Sequence, residues 1–175
     1  MKKLIMVPLA LVSLILVWSC SKEDHTDGEN IFKASINGKD SVFTITKATL
    51  QSFSGFEQLS IITKLSGTSF DLYIHSPEIA ANKEYPVANP FSSQYPEEFS
   101  SCYYRILQPN SVYTARAYVS TVIAPEYKTT ITELSGNQVK GTIRFKAKDQ
   151  GYLSSGELII DASFSTNLLQ YIDNK

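Results

Sequence analysis

The side chains best suited to covalent or metal chemistry in this chain of 175 residues are two cysteines and two histidines. Cys20 and His25 lie near the amino terminus, whereas His75 and Cys102 lie in the middle of the chain. A nucleophilic cysteine or serine needs a base beside it, and zinc needs three or four clustered His, Cys or acidic ligands. Neither spacing occurs in this sequence.

Glu97 and Glu98 are the pair of carboxylates that acid–base chemistry would use. Adjacent side chains on an extended segment point to opposite sides, so these two carboxylates are poorly placed to flank one scissile bond. The sequence also contains no phosphate-binding glycine loop and no dinucleotide-binding fingerprint. We therefore predict that the protein is not an enzyme and that it has no metal site and no cofactor.

The amino-terminal residues have the pattern of an export signal. Lys2 and Lys3 precede an apolar run from Leu4 to Trp18. Fifteen helical residues rise only about 22 Å, whereas the hydrocarbon core of a bilayer is roughly 30 Å thick. The run therefore suits a signal peptide better than a permanent span. The alternative is an uncleaved anchor, and both interpretations place the chain after residue 20 outside the cytoplasm.

The end of this run, Val17-Trp18-Ser19-Cys20, resembles the lipobox of bacterial lipoproteins. The resemblance implies a lipoprotein signal peptide at residues 1–19 and a palmitate-type lipid anchor on Cys20. Trp18 departs from the small or aliphatic residue usual at its position. A lipid on Cys20 would leave Cys102 without a disulfide partner, so we expect Cys102 to be a small buried residue on a strand.

Residues 20–30 are predicted to form the lipidated cysteine and an acidic, flexible tether. Ser21 to Asn30 contains no apolar side chain, and such a segment has nothing to bury. Lys22, Glu23 and Asp24 resemble the export signal of surface-exposed lipoproteins of the Bacteroidetes type. This resemblance implies an outer-membrane lipoprotein that faces the cell surface. The alternative is that the acidic residues serve only to solvate the tether.

Residues 31–175 have the alternating pattern of a single all-β domain. Asn37-Gly38 predicts a tight hairpin, because both central residues of its turn need positive φ. We predict an antiparallel β-sandwich of nine or ten strands, with a closed or partly closed antiparallel β-barrel as the alternative. The proline-rich insertion at residues 86–100 favours the sandwich, since such a segment suits a crossing between two sheets.

Four segments within these strands resemble a family of small Bacteroidetes-type lipoproteins of unknown function. They are residues 32–39 (FKASINGK), 130–134 (TITEL), 141–147 (GTIRFKA) and 156–164 (GELIIDASF). The resemblance covers the predicted mature chain apart from the insertion at 86–100. It implies fold and location, and it supplies neither a catalytic residue nor a ligand.

Three aromatic residues of the insertion, Phe91, Tyr95 and Phe99, are the candidate ligand-binding residues. Aromatic rings on a surface segment offer flat apolar faces to a sugar or to a protein partner. The alternative is that they fold back as a packing lid over the domain edge. Asp40-Ser41-Val42 resembles an O-glycan attachment site of this type of bacterium, which makes Ser41 a candidate O-glycosylation residue.

The composition of the chain limits the classes of partner that it could bind. Without Lys2 and Lys3 the chain has 14 basic and 17 acidic residues, and it has no basic patch that would suit nucleic acid. The sequence predicts a surface-tethered lipoprotein that acts as a non-catalytic binding module for a glycan or a protein. The alternative function is a structural accessory subunit of an outer-membrane complex. The predicted membrane contact is the amino-terminal lipid, and the oligomeric state stays open.

Overall fold

A computed structural model describes residues 30–89, 96–107, 114–120, 124–149, 156–168 and 170–173. Cys20, the segment from Lys22 to Asp24, Phe91 and Tyr95 lie outside the described residues. The described strands are β1 (Ile31–Ile36), β2 (Lys39–Phe53), β3 (Phe56–Lys64), β4 (Thr68–Ser76), β5 (Lys83–Pro86), β6 (Phe99–Leu107), β7 (Thr114–Ser120), β8 (Lys128–Ser135), β9 (Gln138–Asp149), β10 (Glu157–Asn167) and β11 (Gln170–Asp173).

Eight of these strands form a closed ring in the order β1, β2, β3, β4, β6, β7, β9 and β10. The ring closes because β10 pairs with β1 along one edge and with β9 along the other. All of these pairings are antiparallel, and β11 adds a parallel pairing to the second half of β2. The predicted all-β antiparallel domain is confirmed.

The arrangement is the barrel that the sequence offered as the alternative, and the sandwich, our first choice, is wrong. The physical reason lies at the flanks of the 86–100 insertion. Val87 and Ser100 meet in a parallel bridge, so the insertion leaves and returns at the same place on the wall. It therefore does not carry the chain from one sheet to another.

Strand β9 organises the closure. One of its edges pairs with β10 along almost its whole length. The other edge is shared, because β8 pairs with residues 138–144 and β7 pairs with residues 147–149. Strand β8 in turn pairs with β5. The gap between β6 and β9 is thus closed by β7 at one end and by the β8–β5 pair at the other.

The predicted hairpin after β1 is confirmed, with φ of 48° at Asn37 and 79° at Gly38. The two strands that the sequence did not predict, β5 and β11, are each four residues long. Strand β5 ends at Pro86, which has no N–H to donate to a ladder and is therefore suited to an edge strand.

Aromatic rings fill the centre of the barrel. The ring of Phe70 lies 4.5 Å from that of Phe32 and 5.5 Å from that of Phe145, centroid to centroid. Gly141 on β9 makes room for Phe164, because a Cβ at this position would lie 2.5 Å from the ring of Phe164. Small barrels are commonly filled in this way by side chains from every strand.

Buried hydroxyl groups join the strands where β6 lacks a continuous ladder to the β8–β5 pair. Ser120 Oγ donates to the Ala88 carbonyl at 2.7 Å and accepts from the Cys102 N–H at 3.4 Å. Thr129 Oγ1 donates to Ser100 Oγ at 2.9 Å. These bonds satisfy groups that would otherwise be buried without partners. We call this junction the hydroxyl seam: Ser100, Ser120 and Thr129.

Cys102 lies in β6, fully buried, and its thiol is free. Burial raises the pKa of this thiol far above its usual range. A buried strand position is the one that the sequence predicts for this residue, and the side chain acts there as a small apolar group.

Candidate binding surface

The outer wall of the barrel carries aromatic side chains on β2, β3, β4 and β6. Phe70, Leu72 and Ile74 of β4 are buried in the core, so the alternate residues Asp71, Tyr73 and His75 lie on the outside. Their strand partners extend these positions into rows. We define the aromatic face as Phe53, Phe56, Tyr73, His75, Phe99 and Tyr103.

Four of these rings form a continuous row across the strands, which we call the stack. Phe53 and Phe56 are direct cross-strand partners, with centroids 4.7 Å apart and planes at 14°. Phe56 lies 6.3 Å from His75, which stacks on Phe99 at 4.8 Å and 19°. The strand spacing of about 4.8 Å makes the stack roughly 14 Å long. Phe56 is 39% exposed, although it is a large apolar residue.

His75 belongs to this stack as a neutral ring. Burial between its neighbours lowers the pKa of the imidazole below its usual value, because desolvation disfavours the charged form. The neutral imidazole can lie against the ring of Phe99 without the cost of placing a charge there.

A polar group adjoins the stack on β4 and β6. Tyr73 and Tyr103 meet edge to face at 5.9 Å, and the Arg105 guanidinium lies 5.2 Å from the centre of the Tyr103 ring. Arg105 also forms an ion pair with the buried carboxylate of Asp71. Rings beside a guanidinium combine apolar faces with hydrogen-bond donors.

Asp71 is the most deeply placed charge of this face. Its side chain is 3% exposed, and Oδ1 has no hydrogen-bond partner among the described residues. Desolvation raises the pKa of the carboxyl group, an effect that Arg105 opposes but does not cancel. The carboxylate therefore holds Arg105 in place at an electrostatic cost.

Of the three candidate ligand-binding residues, the structure places Phe99 on the aromatic face; Phe91 and Tyr95 lie outside the described residues. We did not predict from the sequence that Phe53, Phe56, Tyr73 and Tyr103 belong to the same surface. A signal for the first pair was present, because Ser54 and Gly55 form a two-residue turn that makes the flanking residues cross-strand partners.

Glu98 holds one end of the barrel together. Its carboxylate pairs with Lys83 Nζ and accepts a hydrogen bond from Ser76 Oγ at 2.9 Å. The bond from Lys83 is the main reason that the pKa of Glu98 lies below its usual value. The group therefore stays ionised and ties the end of β4 to the start of β6.

Ser41 lies in β2, half-buried, opposite Ala34 of β1. Its O-glycosylation stays a prediction. In the described part of the chain, no three His, Cys, Asp or Glu side chains are close enough to hold a metal ion. Within the same residues, no helix is long and apolar enough to cross a bilayer.

The chain matches no protein-family model, no curated protein and no solved structure. The resemblance to small Bacteroidetes-type lipoproteins therefore stays a prediction from sequence, and inferences about binding rest on the surfaces of the barrel.

Proposed function

We propose that the protein is a surface-tethered lipoprotein whose barrel is a non-catalytic binding module, and that its ligand contacts the aromatic face. The observation that carries this proposal is the stack of four rings on the outside of the wall. The barrel interior is already filled by other rings, so the outer stack is not needed to complete the core. Contiguous exposed apolar surface commonly marks a binding site.

The groups beside the stack favour a glycan over a protein ligand. Sugars present C–H faces that lie on aromatic rings, and hydroxyl groups that need donors and acceptors. Arg105 supplies donors next to Tyr103, and Asp71 fixes the orientation of that guanidinium. The face therefore offers both kinds of contact within one pair of strands.

Phe56→Ala is the sharpest test of this surface, because the ring is exposed and its removal leaves the interior intact. We expect at least tenfold weaker binding to the glycans that the wild-type protein selects from an array. Such a loss is typical of truncating a well-placed aromatic anchor, at about 1.4 kcal/mol or more. Leu65→Ala is the matched control, since Leu65 is 37% exposed on the turn between β3 and β4.

Equal glycan binding by wild type and Phe56→Ala would overturn the role of the aromatic face. The contribution of the insertion is measured separately with a Tyr95→Ala/Phe99→Ala variant. If glycan-array and pull-down signals are unchanged in that variant, the insertion does not bind the ligand.

Aromatic rings at the surface also suit a protein interface, and this observation favours the accessory subunit of an outer-membrane complex as the second candidate function. Crosslinking in intact membranes distinguishes the two. A stoichiometric protein partner that is lost in Phe56→Ala would support the accessory role. Recovery of the monomer alone would count against it.

A further inference from the structure

A second surface lies on other strands of the barrel, apart from the aromatic face. A trough of about 660 Å³ crosses the outside of β2, β1, β10, β9 and β8. The proposed function does not use this surface. Its walls are two rows of side chains that the strand registers place side by side.

Each row takes one residue from each of the five strands, from β2 to β8. The first row is Val42, Lys33, Ser163, Thr142 and Thr130, and the second row is Asp40, Ser35, Asp161, Arg144 and Lys128. Strands lie about 4.8 Å apart, which makes each row roughly 19 Å long. The rows are two residues apart along each strand, or about 7 Å. The trough is thus long and narrow, which suits a single extended chain.

Three of the five residues of the first row have the same chemistry. Ser163, Thr142 and Thr130 place a hydroxyl group on three consecutive strands. A hydroxyl group can donate one hydrogen bond and accept others, as the hydroxyl groups of a sugar do. The strand spacing of about 4.8 Å is close to the length of one pyranose unit in an extended glycan. Three successive sugars could therefore each meet an equivalent hydroxyl group.

An extended peptide does not match this repeat. Its residues advance by about 3.3 Å and alternate between two faces, so equivalent side chains recur at a longer interval than the strands do. A peptide lying across the strands would fall out of register with the hydroxyl row within a few residues.

The charges of the trough balance. Its basic residues are Lys33, Lys128 and Arg144, and its acidic residues are Asp40, Glu126 and Asp161. Arg144 and Asp161 pair at 3.4 Å within the trough, and Lys128 pairs with Glu84 at its edge at 2.6 Å. A polyanion would need an excess of basic side chains. Balanced charges instead supply donors and acceptors to an uncharged ligand.

The floor and one end are smooth. Ala34, Ile143 and Ala162 lie between the two rows and their side chains are buried in the core, so the bottom is mainly backbone. Val42 is 57% exposed at the β2 end and offers an apolar contact for the C–H face of a terminal sugar. The cross-section can therefore accept a ring rather than a single side chain.

We propose that this trough binds an uncharged, linear hexopyranose glycan that lies across the strands with about one sugar per strand. The inference does not depend on the proposed role of the aromatic face, since the two surfaces share only β2 and use opposite ends of it. The protein would then have two separate binding surfaces.

The test is calorimetric titration of the full-length chain with three neutral pentasaccharides: cellopentaose, maltopentaose and mannopentaose. Each titration is compared with that of the corresponding disaccharide and with that of a penta-galacturonate. We expect at least one neutral pentasaccharide to bind, and to bind more tightly than its disaccharide. Binding of the galacturonate alone, or of none of the neutral oligomers, would overturn the proposal.

Variants at Thr142 locate the site, because this exposed residue lies between Ser163 and Thr130, at the middle of the three hydroxyl positions. Thr142→Trp should fill the trough and weaken binding by more than tenfold. Thr142→Val removes only the hydroxyl group and should weaken binding about fivefold, as expected for one hydrogen bond. Thr44→Trp and Thr44→Val are matched controls on an exposed position of β2 outside the trough.

Phe56→Ala separates this inference from the proposed function. It should leave pentasaccharide binding by the trough unchanged. The proposed role of the trough and that of the aromatic face can therefore be contradicted independently. Wild-type affinity in Thr142→Trp, with binding lost in Phe56→Ala, would assign the pentasaccharide to the aromatic face and overturn the trough.

Discussion

At the scale of single residues, His75 links the stability of the barrel to pH. It lies between Phe56 and Phe99, and burial there lowers the pKa of its imidazole. The unfolded chain therefore takes up a proton in a pH range in which the folded chain does not. Stability should fall as pH decreases through the unfolded-state value near 6.5, and the loss is complete below the folded-state pKa.

His75→Phe should keep the stack and remove this loss, as measured by free energies of urea unfolding at pH 7.5 and 5.5. The raised pKa of Asp71 acts in the opposite direction, since stability is lost as pH rises through its folded-state value. That contribution is common to wild type and variant. His25→Ala, in the predicted tether, is the control. The same pH dependence in wild type and His75→Phe would contradict the expectation.

Gly141 shows how closely the wall of the barrel packs on the core. An added Cβ would lie 2.5 Å from the Phe164 ring and 2.5 Å from the Thr130 carbonyl oxygen. Gly141→Ala should therefore lower the free energy of unfolding by about 1–3 kcal/mol through overpacking. The exposed neighbour Thr142→Ala should change it by no more than about 0.5 kcal/mol.

Urea unfolding of both variants checks this prediction. If Gly141→Ala is as stable as wild type, the ring of Phe164 and the Thr130 carbonyl must both be able to move away from Gly141 without loss of packing. Such a result would contradict a tight contact of β9 with β10 and β8 at Gly141.

The sequence shows which residues share a face but not which distant residues meet. Alternation identified the strands that hold His75 and Gly141, because side chains repeat every second residue. The contact of Gly141 with Phe164 and Thr130 depends on the registers of β9 with β10 and β8. Those registers are set by the whole core and leave no local pattern.

At the scale of elements, the hydroxyl seam holds together strands that are not joined by a continuous ladder. Ser120 Oγ bonds both the Ala88 carbonyl and the Cys102 N–H inside the barrel. Ser120→Ala would leave both backbone groups buried without this partner. We expect a loss of about 1–3 kcal/mol in the free energy of unfolding.

The control for this prediction is Ser163→Ala, because Ser163 is exposed on β10. Hydrogen exchange should also show faster opening of β5 and the residues that follow it in Ser120→Ala. Unchanged stability together with unchanged exchange would show that the seam does not depend on this hydroxyl group.

The closure of the barrel was the element-scale feature least accessible to sequence. Nine of the strands were visible as alternating segments, whereas β5 has only four residues, the last of them Pro86, and is too short to show a period. The sharing of one edge of β9 by β7 and β8 has no local sequence signature. The 86–100 insertion suggested a crossing, and only the meeting of Val87 with Ser100 shows that it returns to its origin.

At the scale of the whole molecule, the amino-terminal anchor is predicted from sequence alone. Labelled palmitate should be incorporated into wild-type protein and into Cys102→Ser, and it should be lost in Cys20→Ser. Cys102 is the natural control, since its thiol is fully buried. Protease added to intact cells should cleave the protein if the tether faces outward. Palmitate incorporation that persists in Cys20→Ser would contradict the predicted lipoprotein.

The two proposed surfaces occupy different parts of the barrel wall. The aromatic face uses the second half of β2 with β3, β4 and β6, whereas the trough uses the first half of β2 with β1, β10, β9 and β8. Neither was predicted as a whole from sequence, because each depends on residues from strands far apart in the chain. The sequence did identify Phe99, which belongs to the aromatic face, and Ser41, which lines the trough.

The pairing of β1 on both sides has a mechanical consequence. The amino-terminal segment joins the barrel at Asn30, whose carbonyl accepts the Ile45 N–H at 3.1 Å and whose side chain bonds Thr166 at 2.6 Å. Tension applied through that segment enters β1, which is hydrogen-bonded to β2 and to β10 along its whole length. Both ladders must then slide at once, instead of unzipping one bond at a time, and the barrel should resist pulling from its amino-terminal end.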